Sequence, residues 1–180
     1  CTLIIIKGMS KEDYMGLKFK SAVFKPALKM AMERTGHGRQ LGFRINEVSE
    51  GFVSLDYPYD AKAVGNPITG VIHGGVIVSL LDTCCGCAAM SVMQVPSITP
   101  TMDLRLDYMH PAEPLKPIYA SGKVYKITSS VIFCLGAAWQ DDIENPIAHC
   151  VANFVRISAP KTDFSSVFKA GIERITSWSK

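Results

Sequence analysis

The sequence predicts an α+β domain in which a curved antiparallel β-sheet wraps around one long central α-helix. Three observations carry that prediction. The segment Gly74 to Met93 is apolar nearly all round. Two β-type runs precede it and four follow it. Short turns join the later runs, and short connections place antiparallel strands side by side. A helix with no polar face has to be enclosed, and one sheet encloses it only by curling.

Length and composition allow this architecture. A chain of 180 residues, 48% hydrophobic and 19% charged, fits one ordinary domain with a sizeable core. Disordered, collagen-like and coiled-coil classes drop out on apolar content and on the lack of repeats. The formal charge is +3, with Lys and Arg scattered. No basic stripe marks a nucleic-acid surface, so no nucleic-acid partner is expected. A mild positive balance suits a small anionic ligand.

The six cysteines are too sparse for a disulfide scaffold. Cys84, Cys85 and Cys87 crowd into the apolar segment, while Cys1, Cys134 and Cys150 stand apart. They read as reduced thiols acting as small apolar fillers, which predicts a cytoplasmic protein. The Cys84-Cys85-x-Cys87 spacing lacks the second CxxC or His pair that zinc requires, and no metal is expected.

The elements follow in order. Residues 1–40 form an N-terminal helical extension, 41–158 the main domain and 159–180 a tail with a weak helical pattern from Asp163 to Trp178. The apolar start, Cys1 to Ile6, is too short for a signal-peptide core. Phe19 to Arg34 has helical spacing with Pro26 at its start or bend, and Gly36 and Gly38 are expected to break it. Leu41–Val48 and Gly51–Tyr57 read as strands around a Ser49-Glu50-Gly51 turn. A loop from Asp60 to Gly70 leads into the helix, which Pro96 and Pro100 close.

Between Val71 and Met93 the ionisable side chains other than thiols are His73 and Asp82. The length alone would span a bilayer. Asp82 would then sit mid-bilayer, at roughly 2.5–3.5 kcal/mol, and no Lys or Arg anchors flank the segment. The expected reading is therefore a core helix, not a membrane span. After it, Met102, Leu104, Leu106 and Tyr108 alternate with Asp103, Arg105 and Asp107, the period of a half-buried strand over Thr101–His110. Pro117–Ile127, Ser130–Gln140 and Pro146–Ile157 complete the set, separated by Thr128-Ser129 and by Asp141 to Asn145.

The chemistry concentrates at the start of the helix. Asn66 to Gly75 reads Asn-Pro-Ile-Thr-Gly-Val-Ile-His-Gly-Gly. A helix start offers unpaired N–H groups and a positive dipole end. Gly74 and Gly75 carry no side chain to keep a ligand carbonyl away, so this N-terminus suits a developing oxyanion. Asp82 sits among Leu80, Leu81, Cys84 and Cys85, where an unpaired carboxylate is costly. It is either a general base or nucleophile, or a local pair for Thr83 or for an Arg on the sheet.

HGGVIVSLLDTCCG (73–86) resembles the signature of the hotdog-fold thioesterases of the phenylacetate-degradation, PaaI-like, type. TMDLRLDYMHPA (101–112) resembles that family's third strand. The resemblance covers Leu41 to Ser158 and implies hydrolysis of an acyl-CoA thioester to free acid and CoA, with CoA entering only as part of the substrate and no other cofactor. It implies that the Gly74 N–H polarises the carbonyl, that Asp82 activates water or attacks directly, and that His73 orients the loop. Relatives carry an Asn six residues before the His; here Pro67 holds that place and Asn66 lies seven ahead. Thr101 matches a hydroxyl residue lying near the Asp. CoA and substrate contacts fall on Gly75, Tyr108, Lys126, Ser129, Ser130 and Arg156, with Pro111 nearby. His37, His110 and His149 stand outside the pattern.

Gly74 and Asp82 are eight residues apart, about 12 Å along a helix axis at ~1.5 Å per residue. Reacting groups need ~3–3.5 Å. Two antiparallel copies satisfy this, Gly74 of one facing Asp82 of the other, so catalysis predicts a homodimer with shared sites. The resemblance agrees and adds a dimer-of-dimers tetramer. Two alternatives stand beside this: a hotdog hydratase or dehydratase, whose usual HFP motif is missing, and a non-catalytic acyl-CoA-binding or regulatory protein.

Overall fold

The computed structural model describes residues 36–93 and 99–156, together with Lys25, Pro26, Leu28 and Lys29. Those four residues are helical, and Leu28 is buried in the core. The rest of the Phe19–Arg34 helix, Pro96, and the tail with its Asp163–Trp178 pattern lie outside the described residues, as does Cys1.

The element order is α1 (Gly36–Leu41), β1 (Arg44–Ser49), β2 (Phe52–Tyr57), a 3-10 turn (Ala61–Ala63), β3 (Val64–Asn66), β4 (Val71–Ile72), α2 (Gly74–Ser91), β5 (Thr101–Tyr108), β6 (Ile118–Ile127), β7 (Val131–Trp139) and β8 (Ala148–Val155). Six strands form one sheet in the order β1-β2-β6-β7-β8-β5, every pair antiparallel, with α2 packed against it. This is the hotdog arrangement expected above.

Three expectations need correction. Gly36 and Gly38, expected to break the helix that precedes them, are themselves helical and belong to α1, while residues 30–35 lie outside the described residues. Glycine weakens a helix by about 1 kcal/mol relative to alanine without forbidding it. The stop comes at Gly42, whose φ of +68° ends the helix and delays β1 to Arg44. The Asp60–Gly70 loop also holds more order than predicted, since β3 and β4 pair as a small hairpin. Strands of two and three residues are too short to show a period. Asn66 builds the hairpin tip, its Oδ1 accepting from the N–H of Ile68 at 3.0 Å while its carbonyl accepts from Gly70 at 2.8 Å.

The third correction concerns β5. Its alternation is as predicted, but it is mostly exposed: Leu104 and Leu106 are half-buried, and Met102 and Tyr108 are 56% and 53% exposed. The reason is position. Among the described residues β5 is a sheet edge, with β8 on one flank and no strand on the other.

α2 crosses the concave face. Val76, Ile77, Leu80, Leu81, Cys84 and Cys85 recur at three- and four-residue intervals and are buried against the sheet. Each large aliphatic side chain hidden this way contributes about 1.5–3 kcal/mol. The helix is long and apolar enough to cross a membrane by length and composition alone, yet here it is a core helix. The sheet beneath it is lined with small residues, among them Ala120, Gly122, Gly136 and Ala138. At Gly122 the backbones themselves meet: a Cβ there would lie 2.7 Å from the amide nitrogen of Cys85. The described cysteines are free and buried, Cys84 donating to the Val53 carbonyl at 3.1 Å.

Candidate active site

The site is built from α2, the loop that starts it, and β5. His73 caps the helix: its Nδ1 accepts from the Gly75 N–H at 2.9 Å. Such a cap contributes about 1 kcal/mol. The bond also makes Nδ1 the acceptor, which leaves Nε2 to carry the proton of the neutral ring. The His73 N–H donates to the Ala63 carbonyl at 2.8 Å, and the His73 carbonyl accepts from Val76 at 2.9 Å. The Gly74 N–H has no partner among the described residues. It is the open donor that a thioester carbonyl could use.

Two turns further along, Asp82 is half-buried on the flank of α2 turned away from the core. Neither of the local pairings weighed for it is present. Thr83 donates instead to the Ser79 carbonyl at 2.7 Å, and none of the described ion pairs involves Asp82. Its partner is Thr101, whose Oγ1 donates to Asp82 Oδ1 at 2.8 Å. The charge is felt behind the helix, where burial first and Asp82 second push the Cys87 thiol up to about 12.

The two halves sit at opposite ends of β5. Thr101, its first residue, holds Asp82. Tyr108, its last, donates from Oη to the Gly74 carbonyl at 2.7 Å. Within one chain, Tyr108 therefore lies at the other end of β5 from the turn residues assigned to CoA. Gly75 lies with Tyr108 at the helix start, while the others gather at the Thr101 end: Thr101 pairs with Phe154, the Arg156 N–H donates to the Ser130 carbonyl at 2.8 Å, and Arg156 Nη1 donates to the Thr128 carbonyl at 3.2 Å. Lys126, Ser129 and Ser130 are exposed around that turn. Asn66 is exposed at the hairpin, its Oδ1 committed to its own turn.

One residue escaped the sequence reading. Gly65 on β3 lies against His73; a Cβ on it would come within 2.8 Å of the His73 Cα. The only sequence signal was a glycine inside a loop, and nothing in the spacing linked it to His73.

An antiparallel sheet curled on one apolar helix, with a capped glycine turn at its start and a carboxylate on its open flank, defines the hotdog class. A family model described as the thioesterase superfamily matches residues 69–147. The crystal structure of a Pseudomonas aeruginosa protein is 44% identical, covering 74% of this chain and 94% of that one, with a TM-score of 0.62. The medium/long-chain acyl-CoA thioesterase YigI of Escherichia coli is 28% identical over 107 residues, 52% of this chain and 64% of that protein. The E. coli PaaI protein from the phenylacetic acid degradation operon is 19% identical, covers 78% of this chain and 98% of its own, and has a TM-score of 0.67. That last likeness speaks for the fold alone.

This chain belongs to the thioesterase superfamily, on the PaaI-like hotdog scaffold. Its matched part spans 61% and 64% of the length of the curated relatives it resembles.

Proposed function

We propose that the protein hydrolyses an acyl-CoA thioester in a site shared between two copies of the chain. One observation carries the reading: the open Gly74 N–H and the Asp82 carboxylate are tied to opposite ends of the same exposed edge strand, through Tyr108 and Thr101. An eight-residue edge with no neighbour among the described residues is a template for pairing. If a second β5 adds antiparallel about a two-fold axis, each Thr101 end meets the partner's Tyr108 end. Asp82 of one protomer then faces the Gly74 amide of its partner across one cleft.

In that cleft the thioester carbonyl accepts from the Gly74 N–H at the positive end of α2. Thr101 holds Oδ1 of Asp82 and leaves Oδ2 for the reaction. Asp82 takes a proton from water, the water oxygen bonds to the carbonyl carbon, and negative charge moves onto the carbonyl oxygen. Collapse breaks the C–S bond; CoA leaves as the thiol, the acid is released and Asp82 returns to its ionised form. Direct attack by Asp82 is the other route. A single turnover in oxygen-18 water labels Asp82 only in that case.

CoA phosphates are assigned to the turn carrying Lys126, Ser129 and Ser130 with Arg156 alongside, because charged donors bind phosphate oxygens most strongly. Gly75 lets the ligand approach the helix start, and Asn66 keeps a loop role beside it. The free thiols fit a reducing compartment, so the action is placed in the cytoplasm, with dimers pairing further into tetramers. The test is a panel of acyl-CoA substrates with detection of the released thiol, wild type against Asp82→Asn. Turnover on at least one acyl group that falls about 100-fold or more in the variant supports the reading. Equal turnover in both sinks it.

A further inference from the structure

We infer that Tyr108 is a positioning residue, which with His73 grips the Gly74–Gly75 peptide at both ends and so fixes the Cα of Gly74, whose N–H lies on the adjoining His73–Gly74 peptide held through the His73 carbonyl. Its consequence for rate rests on the thioesterase reading; its geometry does not.

The backbone bonds of this turn can be fully accounted for. The His73 N–H is given to Ala63, and the His73 carbonyl accepts from Val76. The Gly75 N–H is given to His73 Nδ1, and the carbonyl of that same peptide, Gly74 O, accepts from Tyr108 Oη. One amide is left over, that of Gly74. Every polar group around it is immobilised, and a peptide plane held at both donor and acceptor cannot swing without losing two hydrogen bonds.

Packing enforces the same geometry. A Cβ on Gly74 would lie 2.7 Å from the Tyr108 hydroxyl oxygen, so a larger residue there pushes the phenol off the Gly74 carbonyl. Burial raises the phenol above its ordinary range, so the hydroxyl remains a donor. A hydroxyl already committed to the protein's own carbonyl is poorly placed to serve a substrate. Tyr108 thus acts through Gly74 and not on CoA.

Tyr108→Phe keeps the ring and removes the donor. The expected result is kcat lower by about 10- to 100-fold, since small misplacements of an oxyanion donor cost that much. KM, thermal midpoint and state of association are expected to stay as in wild type. Adding Tyr108→Phe to Gly74→Ala should cost little further, because both changes break one grip. A kcat equal to wild type, or a raised KM with kcat intact, overturns the proposal. If the wild type hydrolyses no acyl-CoA, the thioesterase reading falls, and the grip is then read from amide hydrogen exchange. Faster exchange at Gly75 in Tyr108→Phe supports it, and unchanged exchange there overturns it.

Discussion

Thr101 Oγ1 donates to Asp82 Oδ1 at 2.8 Å, and this bond joins the carboxylate of the central helix to the free edge of the sheet. The two residues are nineteen positions apart in the chain. The bond fixes one carboxylate oxygen against the first residue of β5. Without it, Asp82 would be free to turn on the open helix flank.

A hydrogen bond to a charged group is worth ~1.5–3 kcal/mol, so Thr101→Val should lower turnover by about tenfold or more. Thr101→Ser restores the donor and should recover most of the rate. Steady-state hydrolysis of the best substrate checks both. Equal rates for Val and wild type would show that the bond has no part in turnover.

The proposal that two copies share each site predicts complementation. Asp82→Asn and Gly74→Val homodimers should each be nearly inactive. In a mixed dimer, one of the two composite sites combines an intact Gly74 with an intact Asp82. Co-refolding the two variants should therefore restore activity that neither shows alone. No recovery from verified heterodimers would mean that each site lies within one chain.

Gly122→Ala should destabilise the fold without touching the site. The added carbon would lie 2.7 Å from Cys85 N and 2.8 Å from Cys84 C, both backbone atoms of α2, so the helix has to shift. Overpacking of this kind costs about 1–3 kcal/mol, readable as a lower urea midpoint. Gly65→Ala is its counterpart at the loop, crowding His73 and lowering turnover more than stability.

Alkali should destabilise the protein through its buried thiols. Burial pushes Cys87 and Cys134 from an ordinary value of 9 up to about 12. Between those values the unfolded chain has released protons that the folded one retains. Stability therefore falls as pH rises through that window, by up to about 1.4 kcal/mol per pH unit for each thiol. Below it, the thiols add no slope. Denaturant midpoints measured on both sides of the window test this, and Cys87→Ala should flatten the decline.

Much of the fold was legible in the chain because it is written in local periods. The apolar run after Gly74 identified the central helix. The turns at Thr128-Ser129 and Asp141–Asn145 identified the β6-β7-β8 meander. The β3–β4 hairpin was not legible, since its strands are shorter than any pattern. The short helix at Gly36 was not legible either, since two glycines in six residues give it a weak helical signal. At the site, the glycine turn and the lone carboxylate in an apolar helix stood out by residue type. The Thr101–Asp82 contact was legible only through the family resemblance, since nineteen positions separate the two, and the bond from Tyr108 to the Gly74 carbonyl had no sign in the sequence at all.

The order of residues alone determined one apolar helix, a set of alternating strands, and a carboxylate eight positions beyond a pair of glycines. Those features depend on side-chain period and type, which operate over a few residues. Only the tertiary structure decided that β5 pairs with β8, leaves its far side open, and anchors Asp82 at one end and Gly74 at the other. Strand partners distant in sequence are chosen by the packing of the whole core around α2, a competition that no short stretch of chain can settle.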